Sequence, residues 1–353
     1  MSSITLRSII ALTLLCAAMV DTHPQTLSAD STGPDTTGLA QPRKECFLKR
    51  LDRKLATRYF SSKYDTSYVA RPPQRWLFRL MTNQTGNYIY ARGTVNDVYS
   101  KYKLHTMYNT TLSLEVNYCD IAASLSINPA KIAGKYNDYE FNFEYHGQQV
   151  SIDINYQRST SLAGDIRYGD YDHLDKDGLR MKIFNIAGYY TFNNRRFSFP
   201  AALYQNYDQL LSAGSWLAGV SFQGGSIRTT EELKQRSPNV PDGHLTFSNI
   251  GIGAGYGYNF VLGKHSQWLI HISALPTFVV YKHNKLTING QEKSDNRTSL
   301  NMIFNERAAI TCHFSPRYFA GASFIMSNSL FDDTRVLVQQ SKWMARAFIG
   351  LRL

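Results

Sequence analysis

Residues 108–119 read YNTTLSLEVNYC. Tyr108, Thr110, Leu112, Leu114, Val116 and Tyr118 fall on one side of an extended chain, and Asn109, Thr111, Ser113, Glu115 and Asn117 on the other. Side chains of a strand alternate between its faces, so a period of two marks a strand with one greasy and one polar face. The rule continues outward. Ile121, Ala123, Leu125 and Ile127 alternate with Ser124, Ser126 and Asn128. Tyr139, Phe141, Phe143 and Tyr145 alternate with Glu140, Asn142, Glu144 and His146, and Val150, Ile152, Ile154 and Tyr156 with Ser151, Asp153, Asn155 and Gln157. Further strands are predicted at 75–91, 179–192, 214–226, 247–262, 266–283, 298–315, 318–328 and 336–353, which makes twelve, within a range of ten to fourteen.

Of the 353 residues, 43% are hydrophobic, 13% aromatic and 18% charged, the last below the ~25% of an average protein. Beyond the N-terminus no run approaches the ~18 consecutive apolar residues of a membrane-spanning helix. Two classes remain: a soluble all-β protein, or a barrel that crosses a membrane with strands. A sandwich hides its apolar faces in a shared core and does not sustain aromatic-rich faces over twelve successive strands. Residues 71–353 allow about 24 residues per strand, the length of a ~10-residue crossing with its half-loops.

The connections point the same way. Cys119-Asp120, His146-Gly147, Gly263-Lys264-His265 and Ser315-Pro316-Arg317 are tight turns, whereas the links near 129–137, 158–177, 227–245, 284–297 and 329–335 are longer and polar. Short periplasmic turns and long external loops alternate in this way in outer-membrane barrels. Residues 193–213 are long where a short turn is due, so either that piece folds into the lumen or periplasm, or a further strand pair raises the count to fourteen. The expected fold is all-β: a closed antiparallel transmembrane β-barrel over 71–353, preceded by a short amphipathic helix. The last strand sets Trp343, Ala345, Ala347, Ile349, Leu351 and Leu353 against Met344, Arg346, Phe348, Gly350 and Arg352. Such a strand suits closure onto the first strand and resembles the terminal signal read by barrel-assembly machinery.

The N-terminus reads as an export signal over residues 1–18, with Arg7, the apolar run Ile9 to Leu15 and the small residues after Cys16. Lipidation at Cys16 is disfavoured by the bulk of Leu15. Residues 19–42 are a flexible leader rich in Thr, Ser, Pro and Asp. Over 43–62, Phe47, Leu51, Leu55 and Tyr59 recur every fourth residue among seven Lys and Arg, a basic helix that lies on anionic lipid, docks at a barrel mouth, or is a solvated packing helix. The net charge is +11 and the pI about 9.4. An exported chain does not meet nucleic acid, so the expected acidic partners are outer-membrane lipid and lipopolysaccharide.

The segment FNNRRFSFPAALYQNYDQLLSAGSWLAGVSF (Phe192 to Phe222), with YVARPPQRWLFRL, LSINPAKIAGKYNDYEFNF and WLIHISALPTFVVY, resembles an uncharacterised family of exported proteins from Bacteroides-type bacteria. That family is a domain of unknown function thought to form outer-membrane barrels. The resemblance runs from about residue 60 to the end and implies the cell outer membrane as the location. It implies no activity and brings no catalytic residues.

Candidate lumen-lining residues follow from parity: Glu115, Glu140, Glu144, Asp153, Arg180, Lys182, Arg307 and Arg346, with both signs of charge. Gly251, Gly253, Gly255 and Gly257 alternate with Ile252, Ala254, Tyr256 and Tyr258, followed by Asn259, and leave a bare stripe inside. The third interval is wrong for a dinucleotide fingerprint. Either a plug packs on the stripe, formed by the 197–211 segment with Phe197, Phe199, Pro200, Tyr204 and Tyr207 as its candidate residues or by the N-terminal helix, or the glycines serve barrel curvature. Asp242, His244 and Ser248 invite a hydrolase reading, but four residues of extended chain place His244 and Ser248 ~13 Å apart, beyond proton-transfer reach. No cofactor, metal or catalytic pattern emerges. Three classes stay open: a plugged structural barrel or narrow channel, a lipid- or acyl-modifying enzyme, and a receptor using its long loops.

Overall fold

The computed structural model describes residues 47–353 apart from 62, 96–97, 120, 136–137, 169–170, 237–241, 264–266, 296–300 and 334–335. The expected signal at 1–18, the leader at 19–42 and the first residues of the basic helix lie outside the described residues. The chain divides into two compact units, Met1–Lys49 and Arg50–Leu353, and every described strand is in the second.

Helix α1 (Phe47–Phe60) leads to β1 (Val69–Ala70), β2 (Trp76–Val95), β3 (Val98–His105), β4 (Asn109–Tyr118) and β5 (Ile121–Ile127). Helix α2 (Pro129–Ile132), capped by Asn128, precedes β6 (Tyr139–His146), β7 (Val150–Ser159), β8 (Ala163–Tyr168), β9 (Tyr171–Leu174) and β10 (Leu179–Thr191). Then come α3 (Phe199–Leu203), β11 (Asp208–Gln209), β12 (Ala213–Thr229), α4 (Glu231–Arg236), β13 (Gly243–Leu262) and β14 (Trp268–Ile288). The chain ends with β15 (Gln291–Asp295), β16 (Met302–His313), β17 (Tyr318–Asp333) and β18 (Val336–Arg352).

The wall is an antiparallel path of twelve strands, β5-β4-β2-β18-β17-β16-β14-β13-β12-β10-β7-β6, so the expected strand number is present. The last strand is zipped onto the first from Val336↔Gly93 to Arg352↔Leu77. Among the described residues no ladder joins β5 to β6, and these two consecutive strands are the edges of the curled sheet. The reason lies in β5. It has seven residues, its Ala and Ser side chains offer little to pack, and Pro129 ends it. The curl nevertheless brings the β6 edge across the interior to β2 and β18: Thr85 Oγ1 donates to Glu140 at 2.8 Å, and Lys342 Nζ lies 2.9 Å from the same carboxylate.

The faces sort as the period of two predicts, with the protein turned inside out relative to a soluble one. Trp216, Val220 and Ile349 are 67%, 60% and 59% exposed on the outside, whereas Arg79, Asn259 and His271 are fully buried within. Two features were not expected. The outer half of β2 pairs with β3, which leaves the wall to pair with β8, and β8 in turn pairs with β9. Arg180 and Lys182 also stand on the opposite face from the one expected: Lys182 is exposed outside, and Met181 and Ile183 point inward. At this end of the barrel the interior is apolar, with Met181 and Ile183 in its buried cluster, so the charged side chains take the outer face.

Candidate functional site

The interior of the sheet is filled in three layers. The layer at the end with the short turns is built from the connection between β10 and β12. Ser198 caps α3 by accepting from Ala201 N, Pro200 sits in the first turn where its missing donor costs nothing, and Phe199, Pro200, Ala201, Ala202 and Leu203 are all buried. Phe197 (0% exposed) and Phe199 pack with Tyr207, Tyr64 and Val69 against the inward wall residues Tyr189, Leu217, Leu269, Leu275 and Ala309. The two-residue ladder β1-β11 ties the chain entering the barrel to this segment.

Buried polar groups latch the segment to three wall strands. Arg79 on β2 donates to Leu203 O and Gln205 Oε1, both at 2.9 Å, and is paired with Glu115 Oε1 at 2.6 Å. Arg352 on β18 donates to Gln205 O at 2.7 Å and pairs with Asp208 at 2.8 Å. Asn259 on β13 donates to Ser198 O and Gln209 Oε1, both at 3.0 Å, while its own carbonyl is 2.7 Å from His271 Nδ1. Arg71 lies over the Tyr207 ring, 3.8 Å from its centroid, and donates to its hydroxyl. The Tyr204 ring lies tilted against that of His146, centroids 5.2 Å apart, with the Arg79 guanidinium 5.6 Å from its centroid.

The middle layer is polar. Arg307 pairs with Asp153, Arg346 with Glu144 at 3.4 Å and Lys342 with Glu140 at 2.9 Å, so each inward carboxylate of β6 and β7 meets a cation from β16 or β18. A cavity of about 130 Å³ remains among Glu140, Glu144, Asp153, Arg307, Gln223 and Lys342. That is room for several waters. The third layer, at the end with the long loops, is apolar: Ile89, Leu104, Leu162, Ile166, Leu174, Met181, Ile183 and Leu233 form one buried cluster.

The glycines divide between the two roles weighed for them. A Cβ on Gly257 would stand 3.0 Å from Phe197 Cζ, so this position admits the inner segment. A Cβ on Gly253 or Gly255 would strike carbonyl oxygens of Pro276 and Ala274 on β14, and on Gly251 it would meet Thr277 Cγ2 at 2.6 Å. These three serve close approach of β13 to β14, next to the bulge between Ile250 and Gly251.

The family model for a domain of unknown function, DUF4421, matches residues 63–352. The chain belongs to the DUF4421 family. No curated protein matches it. Solved structures similar to this DUF4421 protein include the outer membrane protease OmpT from Escherichia coli, at 8% identity over 83% of this chain and 100% of that one, with a TM-score of 0.37. The translocator domain of the autotransporter NalP from Neisseria meningitidis shares 9% identity over 87% and 95%, with a TM-score of 0.32. The outer membrane protein OprG from Pseudomonas aeruginosa shares 8% over 82% and 99%, with a TM-score of 0.27. None is similar enough to lend this DUF4421 protein an activity.

Within the DUF4421 domain, His244 and Ser248 stand in one uninterrupted strand, and the His244 ring is 3.4 Å from Thr246 Oγ1 rather than at Ser248. Among the described residues no three His, Cys, Asp or Glu side chains gather as a metal would require. Sequence reasoning missed Arg79, Gln205, Gln209 and His271. Arg79 had a usable signal, since it is an arginine at inward parity in a predicted strand. The glutamines had none, because they lie in a folded-back segment with no period and bond to its backbone and to side chains of distant wall strands.

Proposed function

We propose that this DUF4421 protein is an outer-membrane barrel occluded at both ends, a structural barrel of the envelope rather than an open pore. The observation that carries this is the pair of apolar layers that cross the interior above and below the charged middle. A solute passing along the axis meets Phe197, Phe199 and Leu203 at one end and Leu162, Met181 and Ile183 at the other, all buried.

The membrane reading rests on the exterior. Tyr118 and Tyr108 bracket the outer face of β4, Tyr145 and Tyr139 that of β6, Tyr190 and Phe184 that of β10, and Tyr318 and Phe324 that of β17. Six to ten residues separate the members of each pair, roughly 20–33 Å along the strand and about 15–25 Å of height once tilted, so the longest pair, on β4, spans the apolar band ~25 Å tall and the shorter pairs lie within it. Export by the 1–18 signal, delivery by barrel-assembly machinery and an origin in Bacteroides-type bacteria belong to the same proposal and stay with the sequence that motivates them.

Planar-bilayer recording tests occlusion. The intact protein is expected to insert without steady conductance, as is a variant with only 197–211 replaced by a short Gly-Ser link, because the Leu162 layer still closes the other end; conduction is expected once L162A/M181A/I183A is added to that variant. Steady ohmic current through the intact protein would establish the narrow-channel reading instead, which the polar middle cavity favours. Recovery of the protein free of membranes after cell fractionation would remove the barrel reading altogether.

A further inference from the structure

On the outer face of β7, β10 and β12, four cations stand together. Arg158 is the direct cross-strand partner of Lys182, and Arg180 that of Arg228. Like charges directly opposite one another on a sheet repel, and two such rungs side by side compound the repulsion. The usual remedy is a carboxylate nearby. Among the described residues none of the four lies within ion-pair distance of one, whereas Lys285, two strands further on, is matched by Glu292 at 2.7 Å. Arg158, Lys182 and Arg228 are exposed and Arg180 half-buried. Their neighbours in register add hydroxyls rather than acids: Ser226 opposes Lys182, and Thr246 opposes Ser226.

The height of this cluster is informative. On β7 Arg158 follows Tyr156, and on β10 Lys182 precedes Phe184, each one step outward of the aromatic row on the same face. A second like-charge set, Arg92, Lys101 and Arg167, joins β2, β3 and β8. Arg92 follows Tyr90 in the same way, sixteen residues beyond Trp76 at the inner end of its strand, ~50 Å along the strand and ~40 Å of height at the usual tilt, but its partners Lys101 and Arg167 stand on β3 and β8, which have left the wall. Only the first cluster lies wholly on wall strands.

We propose that Arg158, Arg180, Lys182 and Arg228 form a binding site on the barrel's outer wall for the phosphorylated headgroup of an outer-leaflet lipid, with Ser226 and Thr246 as hydroxyl donors. This rests on the membrane-barrel reading above. Guanidinium groups match phosphate oxygens in pairs, and a bound phosphate converts two repelling rungs into a bridged one. The aromatic row beneath holds the acyl chains against the wall. The anchor is a lipid rather than free phosphate because the site adjoins apolar surface on its inner side.

The test uses the full-length protein folded in detergent and scores bound lipid by native mass spectrometry. The probes are bisphosphorylated lipid A, the same lipid without phosphates, and inorganic phosphate. R158Q/K182Q/R228Q is expected to weaken lipid A binding at least tenfold, while R92Q/K101Q/R167Q, which removes equal charge higher up, changes it less than twofold. Raising salt from 50 to 500 mM should weaken wild-type binding at least tenfold, and this arm stands even if the triple variant fails to fold. Equal losses in the two variants, salt-independent binding, or binding of the phosphate-free lipid as tight as that of lipid A would each overturn the site. Inorganic phosphate saturating the cluster as tightly as lipid A would overturn the lipid assignment. Should the protein insert into bilayers while the triple variant binds normally, this inference fails and the barrel stands; should it fail to insert, the reading beneath it fails first.

Discussion

The two apolar layers that close the interior are made in different ways. The lower one is built around a single stretch, 193–211, tied down by directional bonds from Arg79, Arg352 and Asn259. The upper one is assembled from one or two residues on each of five strands, with the β7–β8 link and α4, and a side-chain hydrogen bond stands at its margin, where Thr230 Oγ1 donates to Asp177 O at 2.6 Å. A latched layer depends on a few buried charges whose loss leaves a partner stranded. A layer held by area alone degrades by increments.

Removing a latch is therefore the most damaging change. Arg79→Met strands Glu115, which is 8% exposed, and breaking a buried pair from one side costs about 3–5 kcal/mol; urea unfolding followed by tryptophan fluorescence reads it. The double change R79M/E115M is expected to recover much of the loss, and failure to recover would mean that the bonds to Leu203 and Gln205 carry the effect. Leu162→Ala in the upper layer, at a site 0% exposed, should cost about 2–4 kcal/mol in the same assay without altering conductance, because seven neighbours still close that end. If instead it opens a pore, the lower layer does not close the barrel and occlusion at both ends fails.

Gly257→Ala probes the seat of the lower layer. The added methyl meets the Phe197 ring at 3.0 Å, an overpacking worth about 1–3 kcal/mol, and pairing it with Phe197→Leu should relieve most of that. A neutral effect would mean that the ring has room to shift. The smallest effect is electrostatic. Asp65, whose N–H donates to Arg195 O, accepts from Ser67 Oγ at 2.6 Å and from Ser67 N at 3.1 Å. The Ser67 hydroxyl and N–H, with Arg196 nearby, hold its carboxyl below the usual carboxylate range. A carboxylate lowered in the folded state contributes stability that is full above its unfolded pKa and fades as pH falls through the folded one. Protease nicking near residues 61–68 should accordingly rise below about pH 4, and Asp65→Asn should show the raised rate at neutral pH too. A flat profile would show that β1 holds this chain without Asp65.

Much of this was legible in the alternation alone. Glu115, Glu140, Glu144, Asp153, Arg307 and Arg346 all sit on the polar parity, and each has an oppositely charged partner within the barrel. Phe197, Phe199 and Pro200 stood out because a long apolar stretch occupied a place meant for a tight turn. Arg180 and Lys182 were misjudged because parity names two faces without saying which is wet at a given height. The upper cluster was invisible: Leu104, Leu162 and Leu233 belong to pieces of chain with no shared period, and only the pairing of β3 with β8 brings them to one mouth.

A strand's period is a local property, set by backbone geometry and readable from any dozen residues. It therefore determined, without coordinates, that the wall is β, that it has about twelve members and, outside the outer end of β10, which side is greasy. Which arginine meets which carboxylate, what fills the cylinder at each level, and that β5 and β6 are left as edges depend on residues up to hundreds of positions apart arriving at one place. Those were decided only when the sheet had curled, because burial, unlike alternation, is a property of the whole.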